Sequence, residues 1–275
     1  MEVDARYLEI DGRRAFVETR GDGPVVVCLH TAGQSGRQWF EVVRDLPQLG
    51  WRVVVPDLPG HGRSDLPARG PVDTIEAYAA WVAQLVTALD DRPGAEPVLV
   101  AGCSIGAKIA LELATSHPEL LAGVVAMAAD GRNTLLSPNA LRRSLEDSTS
   151  PSRADRTYLG TLAVCGTSVP EDRARAIADR HRCEDPTVSI LDLVAWANHD
   201  LTGRAEHITV PVQLAYGSDD FWVRGADVEA LAATIPDCRC ERLDGVGHYP
   251  MEELEHFARL LDGWLRRVSG SAFPT

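Results

Sequence analysis

The chain has 275 residues, 45% of them hydrophobic and 24% charged, the balance of a globular protein long enough to bury a large core. Its formal net charge of −13 repels phosphate backbones and anionic lipid headgroups, which argues against nucleic acid and membrane surfaces as partners. The opening MEVDARYLEIDGRR lacks the basic and apolar regions of a secretion signal, no run reaches the ~18 apolar residues of a membrane span, and the six cysteines follow no regular spacing, so the reading is cytoplasmic with reduced thiols.

In chain order, Tyr7–Ile10 and Ala15–Thr19 flank Asp11-Gly12 and read as an antiparallel hairpin. Continuous apolar runs follow at Val25–His30, Arg52–Pro56, Val98–Cys103, Leu121–Ala128 and Val212–Gly217. Short runs without polar alternation mark strands buried on both faces, as in a parallel sheet. Between the second and third runs, Ile75, Tyr78, Val82, Leu85, Val86 and Leu89 share one helical face, with Asp73 as the N-cap and Glu76 three residues on. Strand and helix in alternation predict a doubly wound, mostly parallel α/β sheet.

The alternation stops after Ala129. Residues 130–207 are rich in charge, contain no convincing strand, and are too long for a structureless loop in a compact domain. Candidate helices at Asn139–Glu146, Glu171–His181 and Val188–Asn198 make this stretch a helical cap, or lid, over the C-terminal edge of the sheet. The core is then residues 1–129 and 208–275, with Cys238–Leu243 as a further strand. Cys238 and Cys240 share one face of that strand and read as small buried residues, and Cys183 near His181 supplies only half of a zinc site.

The chemistry begins at VLVAGCSIGA. A buried strand ends in Gly102-Cys103-Ser104-Ile105-Gly106 and a helical pattern starts at once, which puts Ser104 on a sharp turn with its hydroxyl aimed out of the sheet edge. Glycines on either side remove the β-carbons that would clash there. Ile105 is the first helical residue, so its N–H is an unpaired helix-start donor placed to hold an oxyanion. The plainer alternative is that Ser104 merely caps the helix at Ala107 or Lys108.

A serine hydroxyl needs a histidine to take its proton and a carboxylate to orient that histidine. GVGHYP supplies His248 in a glycine-flanked loop, and YGSDD supplies Asp219 and Asp220 just past a strand end. Serine, aspartate, histidine is the chain order expected when the serine sits on such a turn. His117, His207 and His256 fall among polar neighbours and read as surface residues.

Four separated motifs, LHTAGQSGRQW, DLPGHGRSD, GCSIG and the late YGSDD/GVGHYP pair, together resemble the α/β-hydrolase superfamily in its capped esterase, lactonase and C–C hydrolase branch. The resemblance spans nearly the whole chain outside the insert. It implies a Ser104–His248–Asp220 triad, since Asp220 lies three residues after the strand-ending Gly217; Asp219 and Asp130, the latter just past the neighbouring strand, are the rival acids. It also implies Ala32 as the second oxyanion donor, two residues after His30, which reads as architectural. The loop departs from the family pattern in carrying Thr31 where glycine is usual, which adds a hydroxyl near the site. Asp57, Gly60, Gly62 and Ser64 read as a shaped turn. Trp196 and Trp222, with Trp39 nearby, are candidate pocket walls, and Arg132, Arg142, Arg143, Arg153 and Arg156 read as a solvated face before a carboxylate-binding one. The resemblance implies a small-molecule ester or lactone as substrate, with no cofactor and no metal. C–C bond hydrolysis, and a receptor or cyclase that keeps the triad, use the same parts and remain open.

Overall fold

The computed structural model describes residues 2–89, 96–134, 150–183 and 185–270. Eight strands form one sheet: β1 (Asp4–Ile10), β2 (Arg13–Arg20), β3 (Val25–Leu29), β4 (Arg52–Pro56), β5 (Val98–Cys103), β6 (Leu121–Met127), β7 (Val212–Gly217) and β8 (Cys238–Leu243), in the order β1-β2-β4-β3-β5-β6-β7-β8. From β4 to β8 every pairing is parallel, and only the β1–β2 hairpin and its junction with β4 are antiparallel. Asp11 and Gly12 both take positive φ (51° and 69°), the backbone a two-residue hairpin turn needs.

The continuous apolar runs have a direct cause. In β3, Val25, Val27 and Leu29 enter one hydrophobic cluster while Val26 and Cys28 enter the other, so both faces of the strand are buried. The α-helices of the described residues are α1 (Phe40–Asp45), α2 (Ile75–Thr87), α3 (Ile105–Ser116), α4 (Arg153–Val164), α5 (Glu171–His181), α6 (Pro186–Asn198), α7 (Gly225–Ala232), α8 (Pro250–Glu253) and α9 (Phe257–Ser269). Residues of α2, α3 and α7 fill the first cluster and those of α1 and α9 the second, which is the doubly wound arrangement.

Between β6 and β7 the described residues form α4, α5, α6 and a 3₁₀ turn at Ala205–His207. The helix expected at Asn139–Glu146 lies outside the described residues, as do Arg142 and Arg143. The insert does contain one sheet-like contact, an isolated antiparallel bridge between Arg132 and Asp200 that closes its two ends together. Two local expectations need correction. Thr74, not Asp73, caps α2, its Oγ1 accepting from Ala77 N at 3.2 Å. Cys240 is exposed and Cys238 half-buried, because β8 is the edge of the sheet and pairs only with β7. No helix among the described residues is long and apolar enough to cross a membrane.

Candidate active site

The turn at Ser104 is as tight as its sequence demands. Ser104 holds φ 55°, ψ −117°, a conformation that costs a non-glycine residue of order 1–3 kcal/mol. A β-carbon on Gly102 would stand 2.2 Å from Gly106 O, and one on Gly106 would stand 2.4 Å from Leu29 O and 2.7 Å from His30 O. Both glycines are therefore obligatory, and the second lets α3 start directly against the loop after β3. Ser104 makes no side-chain capping bond, so the helix-cap alternative fails and its hydroxyl is left for other work.

On the far side of β6, Asp220 leaves the end of β7 and His248 follows β8. His248 Nδ1 stands 2.8 Å from Asp220 Oδ2, with both side chains buried. A carboxylate accepts, so Nδ1 carries the hydrogen and Nε2 is left with its lone pair. Asp220 Oδ1 takes the N–H groups of Trp222 and Val223 at 2.9 and 3.1 Å, which locks its plane. Cys103, the residue before Ser104, donates from Sγ to the His248 carbonyl at 3.2 Å and so ties the two loops together. The rival acids point elsewhere. Asp219 accepts from Thr167 N and Oγ1, which hold its carboxyl below the usual range, and Asp130 pairs with Lys108 Nζ at 2.6 Å.

The third loop follows β3. Leu58 N donates to His30 Nε2 at 3.0 Å, so Nδ1 bears the hydrogen it shares with Thr31 O; burial, then the nearby His61, pulls the His30 pKa to about 4 and keeps the ring neutral. His30 is thus an architectural residue. Among the described residues, neither Ala32 N–H nor Ile105 N–H is taken up by another group.

A family model described as serine aminopeptidase, S33, matches residues 22–255. The chain belongs to that family of α/β-fold hydrolases. Among curated relatives, a pimeloyl-[acyl-carrier protein] methyl ester esterase of Aromatoleum aromaticum is 31% identical over 243 residues, covering 82% of this chain and 92% of its own. Among solved structures, an esterase from Exiguobacterium antarcticum has TM-score 0.84 at 21% identity, over 94% of this chain and 98% of that one. An enol-lactonase from Burkholderia xenovorans has TM-score 0.82 at 21% identity, over 94% and 99%. The last two similarities are of fold.

The remaining predicted residues of this S33-family hydrolase divide. Trp222 is 39% exposed and sets its edge against the His248 ring, centroids 4.9 Å apart, at the rim of the site. Trp196 is buried over the Lys108 ammonium, 5.3 Å from its ring centre. Thr31 corrects its expectation: its Oγ1 and its N–H both donate to Gln38 Oε1 at 2.9 Å, so the extra hydroxyl is turned into the protein. Trp39 is core, fully buried near Phe257. His181 belongs to a hydrogen-bonded network and Cys183 is exposed. The described residues bring ligand atoms of Glu76, Glu112 and His199 within 4.8 Å, but Arg204 already pairs with both glutamates there.

Several groups escaped sequence reasoning. Glu253 accepts from Gly247 N (2.6 Å) and Tyr249 N (2.9 Å), the two residues flanking His248, and from Gly166 N of the insert (3.0 Å). Glu252, its pKa pushed up by burial but held lower on balance by His181 and Arg180, accepts from Gln38 Nε2 (2.9 Å) and faces His181 Nε2 (2.8 Å). Asp192 of α6 reaches the loop after β3. The available signal for Asp192 was its register: it lies four residues after Val188 and three before Ala195, on the buried face of an otherwise apolar helix.

Proposed function

We propose that this serine-type hydrolase cleaves a small-molecule carboxylic ester or lactone through an acyl-enzyme on Ser104, and that residues 130–207 form the cap over its pocket. The observation that carries the reading is the His248 Nδ1–Asp220 contact beside an uncapped, strained Ser104. Ser104 Oγ attacks the carbonyl carbon and its proton passes to His248 Nε2; the imidazolium is stabilised by Asp220. The carbonyl oxygen, now an oxyanion, is met by the N–H groups of Ala32 and Ile105, a contribution of about 3–4 kcal/mol per donor in comparable sites. Collapse expels the alcohol, which takes the proton from His248. Water then adds to the acyl carbon, gives its proton to the same nitrogen, and releases the acid with Ser104 reprotonated.

Ester chemistry is favoured over peptide cleavage by the relative named as a methyl ester esterase and by the HTAGQ loop, which is not the Gly-Gly-Pro-Gly loop usual in proline iminopeptidases. The test is a panel of aryl esters, lactones and vinylogous diketones assayed with the wild type and Ser104→Ala. Turnover should vanish in the variant while the melting temperature stays within a few degrees, and a fluorophosphonate should label Ser104. Undiminished turnover in Ser104→Ala, or labelling at another residue, overturns the reading.

A further inference from the structure

The loop after β3 is anchored from two sides, and one anchor comes from the cap. Thr31 N–H donates to Gln38 Oε1, and Gly33 N–H donates to Asp192 Oδ2 at 2.7 Å. Ala32 lies between them, so of three consecutive N–H groups the outer two are fixed and only the middle one is left for the pocket. Gly33 has φ 68° as the third residue of a turn that Gln34 N–H closes onto Thr31 O at 3.2 Å, so the turn and the Asp192 bond together set this peptide. No strand pairing holds this stretch, since β3 ends at Leu29.

Asp192 is wholly buried, and a buried carboxylate is tolerated only when its lone pairs are filled. Besides Gly33 it takes Tyr78 Oη on Oδ1 at 2.6 Å and faces His61 Nε2 from Oδ2 at 2.8 Å. Tyr78 and His61 belong to the core and dock the cap helix together with the apolar packing of Ala195 and Trp196. The bond to Gly33 in addition fixes the peptide next to the oxyanion donor.

We propose that Asp192 is a positioning residue of the oxyanion hole: the seated cap aims Ala32 N–H by holding Gly33 N–H. The oxyanion hole is then complete only when α6 is docked, and cap seating and acyl transfer are one event. This rests on the ester hydrolase reading above.

The experiment compares kcat and KM for an aryl ester, and inhibition by phenylboronic acid, in Asp192→Ala, Asp192→Asn and the wild type. A misaimed donor weakens the transition state more than the ground state. Asp192→Ala should therefore lose about 10- to 100-fold in kcat with KM within about threefold, and boronate affinity should fall in parallel. Asparagine, whose amide oxygen can still accept Gly33 N–H while its NH₂ donates to Tyr78 Oη, should recover kcat to within about fivefold. A folded Asp192→Ala with kcat within threefold of wild type, a loss confined to KM, or an asparagine variant no better than alanine each overturns the proposal. If Asp192→Ala does not fold, Asp192→Glu keeps the buried charge but shifts the carboxylate by one methylene, and an unchanged kcat there overturns it equally. Undiminished turnover in Ser104→Ala, by contrast, indicts the hydrolase reading underneath.

Discussion

Asp219 and Asp220 leave β7 side by side and face opposite partners, Thr167 in the first case and His248 in the second. Only Asp220 is placed to keep the hydrogen on Nδ1, so substitution by asparagine should leave the fold intact and lower kcat by up to ~10⁴, the loss expected when the histidine takes the wrong tautomer. Asp219→Asn should stay within a few-fold of wild type. Asp130→Asn should act through stability instead, because it removes the charge paired with a fully buried Lys108, whose pKa burial already depresses, and leaves the Asp130 carbonyl as its acceptor. Measured kcat and melting temperatures for the three variants separate these outcomes; a near-wild-type Asp220→Asn beside a crippled Asp219→Asn reverses the assignment. At this scale the sequence was informative where geometry follows from neighbours in the chain. Gly-x-Ser-x-Gly dictates a turn, and Gly217 plus three dictates which aspartate emerges. It was silent on Gln38, Glu252, Glu253 and Asp192, whose partners lie from about 4 to over 200 residues away and are found only once the chain has folded.

Elements were legible in proportion to how fully the sheet buries them. β3, β5, β6 and β7 are buried on both faces and, apart from Gln213 of β7, built of apolar residues and glycine, so their sequences read as strands. Helix α4 is not legible because RADRTYLGTLAV buries only Thr161 and Val164, too few positions to leave a periodic signal, and β8 reads as a strand but not as an exposed one, because an edge strand is solvated where a central one is not. The contact between α3 and β3 is a demanding one, since a β-carbon on Gly106 would meet the carbonyls of Leu29 and His30. Neither carbonyl can move without dragging a central strand, so Gly106→Ala should destabilise by about 3 kcal/mol or more, at the upper end for overpacked sites. Urea unfolding reads this directly. A variant as stable as wild type means that the elbow is looser than these distances imply.

Across the whole molecule, the insert meets the core through several buried charge clusters, two of which have opposite pH dependence. Near His61, burial lowers the pKa, but the charge and hydrogen bond of Asp192 outweigh it and the net pKa is raised above 6.5; Asp57 adds to this, while the His30 ring lies 4.8 Å away and stays neutral. A raised folded-state pKa means that this stabilisation is fully present below pH 6.5 and is lost as pH rises through the raised value. Near Glu252, His181 and Arg180 outweigh burial and hold the pKa below 4.5, so that stabilisation is present above pH 4.5 and is lost as pH falls through the lowered value. Docking of the insert is therefore strongest between pH 4.5 and 6.5. The net charge of −13 at pH 7 and a pI near 5.0 push the same way, since self-repulsion grows above that window. The expected result is a wild-type melting temperature that declines from pH 6 to pH 8.5. His61→Gln isolates the cluster. It should melt about 2–4 °C below wild type at pH 6, the shift of roughly 1 kcal/mol in a chain of this size, with the gap closing as pH rises through the raised value and the wild-type imidazole loses its charge. A gap that stays constant or widens with pH means that His61 contributes by packing alone, and that the carboxylate of Asp192 is held by Tyr78 and Gly33 without help from charge.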